Sequence, residues 1–177
     1  SILLTGSAGP ARNIFEKIVK RYPKTEAAAE AGFLSSQVYM SEGSWVKAFD
    51  QLQIIALNHT SYENYNQVIS SQYDCATALM EGARGRIFWI LPGFKQYGKA
   101  VLQFEQIIRN APYGDYAPLA LMNIALLSEM EGNSEEAIDA LDRIINYYPQ
   151  SILAPDAYYN MAKTYADLVK GAEYDQG

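Results

Sequence analysis

Cysteine and histidine each occur once in this chain of 177 residues, as Cys75 and His59. One thiol cannot form an intrachain disulfide, and it leaves the redox state of the compartment unread. One thiol and one imidazole, far apart in sequence, also cannot supply the clustered donors that metal sites and acid–base pairs draw on. No metal, cofactor or catalytic residue is therefore expected, and the chain is read as a non-enzyme. The surroundings of Cys75, YDCATALM, suit a small residue packed between helices. His59 falls at a helix end, where partial positive charge suits the terminal carbonyls.

Positive charge is also scarce. Fourteen Lys and Arg stand against twenty Asp and Glu, giving a net charge of −6 and a pI near 4.8. The basic residues are scattered, so the stripe that a nucleic-acid scaffold needs is absent and no nucleic-acid partner is expected. No apolar run approaches the roughly 18 residues of a membrane-spanning helix. The segment TGSAG at 5–9 lacks the lysine and the preceding strand of a phosphate loop. The cluster Glu135, Glu136, Asp139 and Asp142 reads as the solvated face of one helix.

What the chain does hold is a helical frame that repeats. Gly132–Pro149 carries Ala137, Leu141, Ile144, Ile145 and Tyr148 at helical spacing. Asn133 and Glu136 are placed for a capping box, and Pro149 stops the helix. The order alanine, bulky apolar, isoleucine, stop recurs as Ala11, Phe15, Ile18, Pro23, then Ala48, Leu52, Ile55, Thr60, then Ala100, Phe104, Ile107, Pro112. Gly6, Gly43 and Gly132 each precede their alanine by five residues, whereas Lys95 takes that place in the third copy. The step is 37 residues from Ala11 to Ala48 and again from Ala100 to Ala137, but 52 from Ala48 to Ala100, an excess of 15. That excess marks an insertion at 83–98 within the third repeat.

The frame predicts helices at about 10–22, 25–42, 45–58, 62–83, 99–110, 115–131, 133–148 and 154–170, with Ser44 capping the third. Pro118 and Pro155 should fall in first turns, where proline is tolerated. No segment alternates over a strand's length. The expected fold is all-α: a right-handed solenoid of stacked antiparallel helix pairs, about four to five repeats forming one domain over 1–177. The core should include Ala48, Leu52, Ile55, Ala125, Ala137, Leu141, Ile144 and Ala162. Ser1–Leu4 reads as the tail of a helix and GAEYDQG as a polar end, so the expectation is a solenoid truncated at both ends.

Tyr158, Met161, Ala162 and Tyr165 resemble the first-helix series of a tetratricopeptide repeat, and Ala137, Leu141, Ile144 and Pro149 resemble its second helix. The match runs over nearly the whole chain. It departs in its step of 37 rather than 34 and in having Ser36 at one small first-helix position. Segments such as FEKIVKRYPKTEAAAEAGFLSSQVYMSEGSW and ALDRIINYYPQSILAPDAYYNMAKTY, with a Tyr-Pro stop, a long connector and an Ala- and Tyr-rich helix, are similar to BamD-type outer-membrane assembly lipoproteins. That family also tends to carry a long insertion in its third repeat. The resemblance implies a periplasmic protein, held at the outer membrane by an N-terminal lipidated cysteine that Cys75 cannot be. It also implies protein partners: an outer-membrane assembly component and client peptides.

Stacked helix pairs line a concave face with the first helix of each pair. Helical phase puts Phe33, Gln37 and Met40 there in one copy, Met122, Leu126 and Glu129 in another, and Tyr159 and Lys163 in the last. Aromatics, methionine and amides suit an extended or helical peptide. The insertion carries Arg86, Phe88, Trp89 and Phe94, residue types enriched at binding hot spots. It reads either as a helix extension covering the edge of the stack or as a projecting element that docks on a partner. Two other functions compete with an assembly scaffold. A cytoplasmic co-chaperone that clamps a C-terminal carboxylate needs Lys and Asn where Phe33 and Gln37 stand, and the regulatory arm of a larger enzyme would need a catalytic domain elsewhere.

Overall fold

The computed structural model describes residues 8–87 and 94–174, with side chains over 9–82 and 97–170. Eight helices and no strand are present among the described residues: α1 (Ala8–Arg21), α2 (Glu26–Ser41), α3 (Trp45–Asn58), α4 (Tyr65–Ile87), α5 (Phe94–Asn110), α6 (Tyr116–Met130), α7 (Ser134–Tyr147) and α8 (Ala154–Tyr174). The expected all-α fold of tetratricopeptide-type helix pairs is observed. The chain divides into two compact units, residues 1–96 and 97–177.

In the first unit α1 packs on α2, α2 on α3 and α3 on α4. Their connectors are short, which makes consecutive helices antiparallel neighbours. Ala48, Leu52 and Ile55 of α3 are buried, as the repeat frame requires. A methyl group added at Gly32 of α2 would stand 3.3 Å from Cγ1 and Cδ1 of Ile55 and 3.8 Å from Cγ2 of Val19, so α2 is held closely between α1 and α3. Ser36 is fully buried, and its hydroxyl donates to the Phe33 carbonyl of its own helix at 2.6 Å. That internal bond is what lets serine occupy a position otherwise filled by alanine. Outside the core, the Tyr39 hydroxyl donates to Glu16 at 2.6 Å while Arg12 lies over the Tyr39 ring and pairs with Glu42 at 2.7 Å, joining α1 to α2.

The second unit packs α6 on α7 and α7 on α8. Ala100, Phe104 and Ile107 of α5 and Ala137, Leu141 and Ile144 of α7 are buried completely, and Ala125 nearly so. Ala162 does not follow its copies: it is exposed, as are Tyr158 and Tyr165, because no described helix packs on that side of α8. Arg143 reaches from α7 to Glu105 of α5 through two bonds of 2.5 and 3.2 Å. The Glu105 hydrogen bond is the main reason the guanidinium is held above its ordinary pKa.

The helix ends explain the recurrent glycine. Gly43 and Gly132 adopt φ of 68° and 76°. Each stands between a helix and a following residue whose N–H reaches back five positions, Ser44 to Tyr39 and Asn133 to Ser128, both at 2.8 Å. This is the left-handed closure that satisfies orphaned carbonyls. The capping box at Asn133 forms in modified shape: its Oδ1 accepts from the Glu136 N–H at 3.2 Å, while Glu136 Oε2 accepts from the Asn133 and Ser128 side chains. Ser44, expected as a cap, makes no side-chain cap bond, and the N-terminus of α3 does without it. The insertion is partly absorbed into helix, since α4 runs on to Ile87 and α5 starts at Phe94.

These closures generate a paired prediction. Gly132→Ala should lower stability by about 1–2 kcal/mol, the cost of an L-residue in left-handed backbone, because the added methyl meets nothing within 4 Å. Gly82→Ala, in open space on the helical body of α4, should raise stability by about 0.5–1 kcal/mol. Urea unfolding midpoints of the two variants should move in opposite directions.

Candidate functional site

The first helix of a pair is exposed on the side its partner does not cover, and in the second unit this leaves a groove between α6 and α8. Its walls are Met122, Leu126 and Glu129 of α6 with Asp156 and Asn160 of α8, its floor includes Ala125 and Leu141, and its volume is about 300 Å³. Leu126 is 39% exposed, whereas Ile124 and Leu127 on the other sides of α6 are buried. The phase read from the repeat frame thus brings three expected contact residues into one groove.

The polar groups fix its shape. Thr164 Oγ1 lies 2.7 Å from Glu129 Oε1 and 3.0 Å from the Asn160 carbonyl. The hydroxyl therefore ties α8 to α6 at one end of the groove, and it is itself buried. Asn160 Nδ2 lies 4.0 Å from Met122 Sδ, a weak contact that leaves the amide free for a stronger partner. Asp156 sits in the first turn of α8, where the helix dipole favours a carboxylate. An apolar strip of methionine and leucine bordered by two carboxylates and an amide can hold a peptide side chain and orient its backbone.

The other expected contacts are distributed as follows. Tyr159, 72% exposed, and Lys163 lie on α8 beside the groove rather than in it, because Asp156, Asn160 and Thr164 occupy the phase that faces α6. Those three were missed by reading α8 in the frame of the earlier copies; their four-residue spacing was the available signal. In the first unit Gln37 is exposed and Met40 half-buried. Phe33 is not presented to solvent: it is 7% exposed with its ring 6.4 Å from that of Tyr62, whose hydroxyl donates to Glu30. Of the insertion residues, Phe88 and Trp89 lie outside the described residues, as do the side chains of Arg86 and Phe94.

Comparison with known proteins follows the same residues. The tetratricopeptide repeat family model matches residues 119–151, which run from α6 through α7 to the connector before α8. That stretch is a tetratricopeptide repeat. The outer membrane protein assembly factor BamD of Rickettsia prowazekii (strain Madrid E) is 33% identical over 87 residues, 49% of this chain and 35% of that protein. BamD of Xylella fastidiosa (strain Temecula1 / ATCC 700964) is 33% identical over 60 residues, 34% of this chain and 20% of that protein. The chain therefore spans about a third or less of the curated relatives it matches. Among solved structures, MamA 41-end from Desulfovibrio magneticus RS-1 aligns over 97% of this chain and 98% of its own, with a TM-score of 0.41 and 16% identity. The BamD-like tetratricopeptide character read from the Tyr-Pro stops and the alanine frame is supported, and such repeats are protein-interaction scaffolds.

Among the described residues no group of three or more His, Cys, Asp or Glu is arranged to hold a metal, and no helix is long and apolar enough to cross a membrane. Cys75 is fully buried in α4 and its thiol is pushed up to about 12, first by burial and then by Asp74. It should therefore resist a thiol-exchange reagent such as dithionitrobenzoate at pH 8 in the folded protein and react fully once urea unfolds the chain. Rapid labelling of the native protein would contradict this burial.

Proposed function

We propose that the chain is a non-catalytic interaction scaffold on the periplasmic side of the outer membrane, where it serves the assembly of outer-membrane β-barrel proteins. The observation that carries this reading is the α6–α8 groove within the matched repeat, an apolar strip with carboxylates at its rim, in a chain whose curated relatives are outer membrane protein assembly factors. In this reading Met122, Leu126 and Glu129 contact a client or partner segment, and Tyr159 and Lys163 extend the contact along α8. In the first unit, taken by itself, Gln37 and Met40 of α2 make a contact of their own, with Phe33 of the same helix buried against Tyr62. Attachment to the membrane is through a lipidated cysteine outside these 177 residues.

A photo-crosslinking residue at Leu126 in cells tests the groove. Adducts with outer-membrane β-barrel precursors or with another assembly component are expected, and they should fade when Met122 is changed to Asp. Adducts confined to cytosolic proteins would overturn the assembly reading.

The proposal gives the 83–98 insertion a docking role, with Trp89 as anchor and Arg86, Phe88 and Phe94 around it. Trp89→Ala should weaken binding of the crosslinked partner by about 2 kcal/mol or more, as loss of a buried aromatic anchor does, while stability changes much less. Isothermal titration and thermal melting of the same variant separate the two effects. A large stability loss with unchanged affinity per folded molecule would return Trp89 to the core.

A further inference from the structure

The second unit has another concavity, on the side where the α5–α6 and α7–α8 connectors meet. A cleft of about 560 Å³ runs between Tyr113 and Pro118 on one side and Tyr147, Pro149 and Ile152 on the other. A smaller hollow of about 350 Å³ shares Tyr113, Tyr147 and Tyr148 with it and reaches back to Ile108 and Leu121. The apolar side chains of these walls are bare, with Tyr113 99% exposed, Tyr147 74% and Ile152 91%, and the cation lining the smaller hollow, Arg143, is already paired with Glu105. Folding has not used these side chains, although their neighbours Ile108 and Leu121 are buried. We propose that this cleft docks a proline-rich segment in the polyproline II conformation that carries basic side chains.

The conformation follows from which hydrogen bonds are left. Both connectors satisfy much of their own backbone: Gly114 N–H bonds to Ala111, Ser151 N–H to Tyr148 and Ala154 N–H to Ser151, at 2.9–3.0 Å. The Tyr148 hydroxyl donates to the Pro112 carbonyl at 2.7 Å and so clamps one connector to the other. No strand edge is present among the described residues to pair with an extended peptide. Among the groups lining the cleft, the exposed Tyr113 and Tyr147 hydroxyls and the Gln150 amide can donate to a ligand. A helical ligand spends its carbonyls internally, whereas a polyproline II segment has no internal hydrogen bonds and presents all of them. Flat tyrosine faces between prolines also match proline rings in size and need little ordering of the ligand.

The charge follows from the unit as a whole. Residues 97–177 hold twelve Asp and Glu against five Lys and Arg, a balance of −7, while the whole chain balances at −6. All of the negative excess thus lies in the unit that carries the cleft. Asp115 is the charged residue lining the larger cavity, and although it stands at the N-terminus of α6 its carboxylate makes no cap hydrogen bond. A lysine or arginine beside the prolines finds this carboxylate unengaged; an acidic segment meets repulsion.

The test is fluorescence anisotropy of the 177-residue chain with a labelled synthetic peptide of alternating proline and leucine flanked by arginine pairs. Two further peptides replace the arginines by glutamate or the prolines by glycine. The arginine–proline peptide is expected to bind, and each replacement to weaken it by about tenfold or more. Tyr147→Ala should cost about tenfold as well, Asp115→Asn several-fold with a shallower salt dependence, and Leu57→Ala, exposed on α3, nothing. Circular dichroism melts confirm that the variants remain folded. Equal binding of the acidic and basic peptides, indifference to Tyr147→Ala, or no binding of the proline peptide at all would each overturn the proposal.

Discussion

How closely two helices approach is set by the smallest side chains at their contact, and this fold depends on that limit being met in every pair. Ala137 of α7 and Ala125 of α6 are buried where their helices pack, and Ala48 of α3 and Ser36 of α2 do the same in the first unit. With small residues there, the bulky positions four and seven residues onward, Leu141 and Ile144 or Leu52 and Ile55, can be covered completely. A larger residue at Ala137 would push the helices apart and uncover both, so loss of contact would spread along the whole helix face. The glycine closures serve the same geometry. By leaving only three residues between α2 and α3 and between α6 and α7, the turns at Gly43 and Gly132 fix the phase at which each alanine meets its neighbour.

That dependence explains which parts were legible. Helix ends follow from Pro23, Gly43, Pro112, Gly132 and Pro149, residues whose backbone chemistry acts locally, and the observed bounds differ from the expected ones by three residues or fewer wherever such a residue stands. The bounds move further at the insertion, where α4 continues through Gly82 and Gly85 to Ile87 and α5 begins at Phe94, because no proline stands in that stretch of α4 and the cost of a glycine in a helix, about 1 kcal/mol, is too small by itself to end one. Ala162 was misread for a different reason. Its place in the frame promises burial, but burial belongs to a pair of helices, and no described helix covers that face of α8. Ser44 has the right residue type for a cap without making the bond.

The groove was legible by half. Periodicity puts Met122, Leu126 and Glu129 on one face because they lie on a single helix. What it cannot supply is the partner wall, since Asp156, Asn160 and Thr164 come to α6 only through the angle at which α8 packs. The same holds for Phe33, whose phase points to the open side of α2 but whose ring meets Tyr62 from the connector before α4. Three-dimensional neighbours, not the frame, decide whether such a residue contacts a ligand or supports one that does.

Charge then separates structure from recognition within the second unit. Several of its carboxylates are already committed: Glu105 to Arg143, Glu136 to Asn133 and Ser128, Glu129 to Thr164. These hold helices and caps in register, and a ligand that drew on them would have to break a bond the fold uses. Asp156 at the groove and Asp115 at the connector cleft have no such bond, and each stands beside exposed apolar surface. An apolar wall next to an uncommitted carboxylate favours ligands that pair a hydrophobic anchor with a basic group, because the anchor excludes water and so strengthens the ion pair beside it. Both concavities share this logic while differing in shape, one a trough along two helices and the other a slot between tyrosines. A repeat that keeps its packing residues constant can therefore vary what it binds by changing only the side chains that its neighbouring helices leave uncovered.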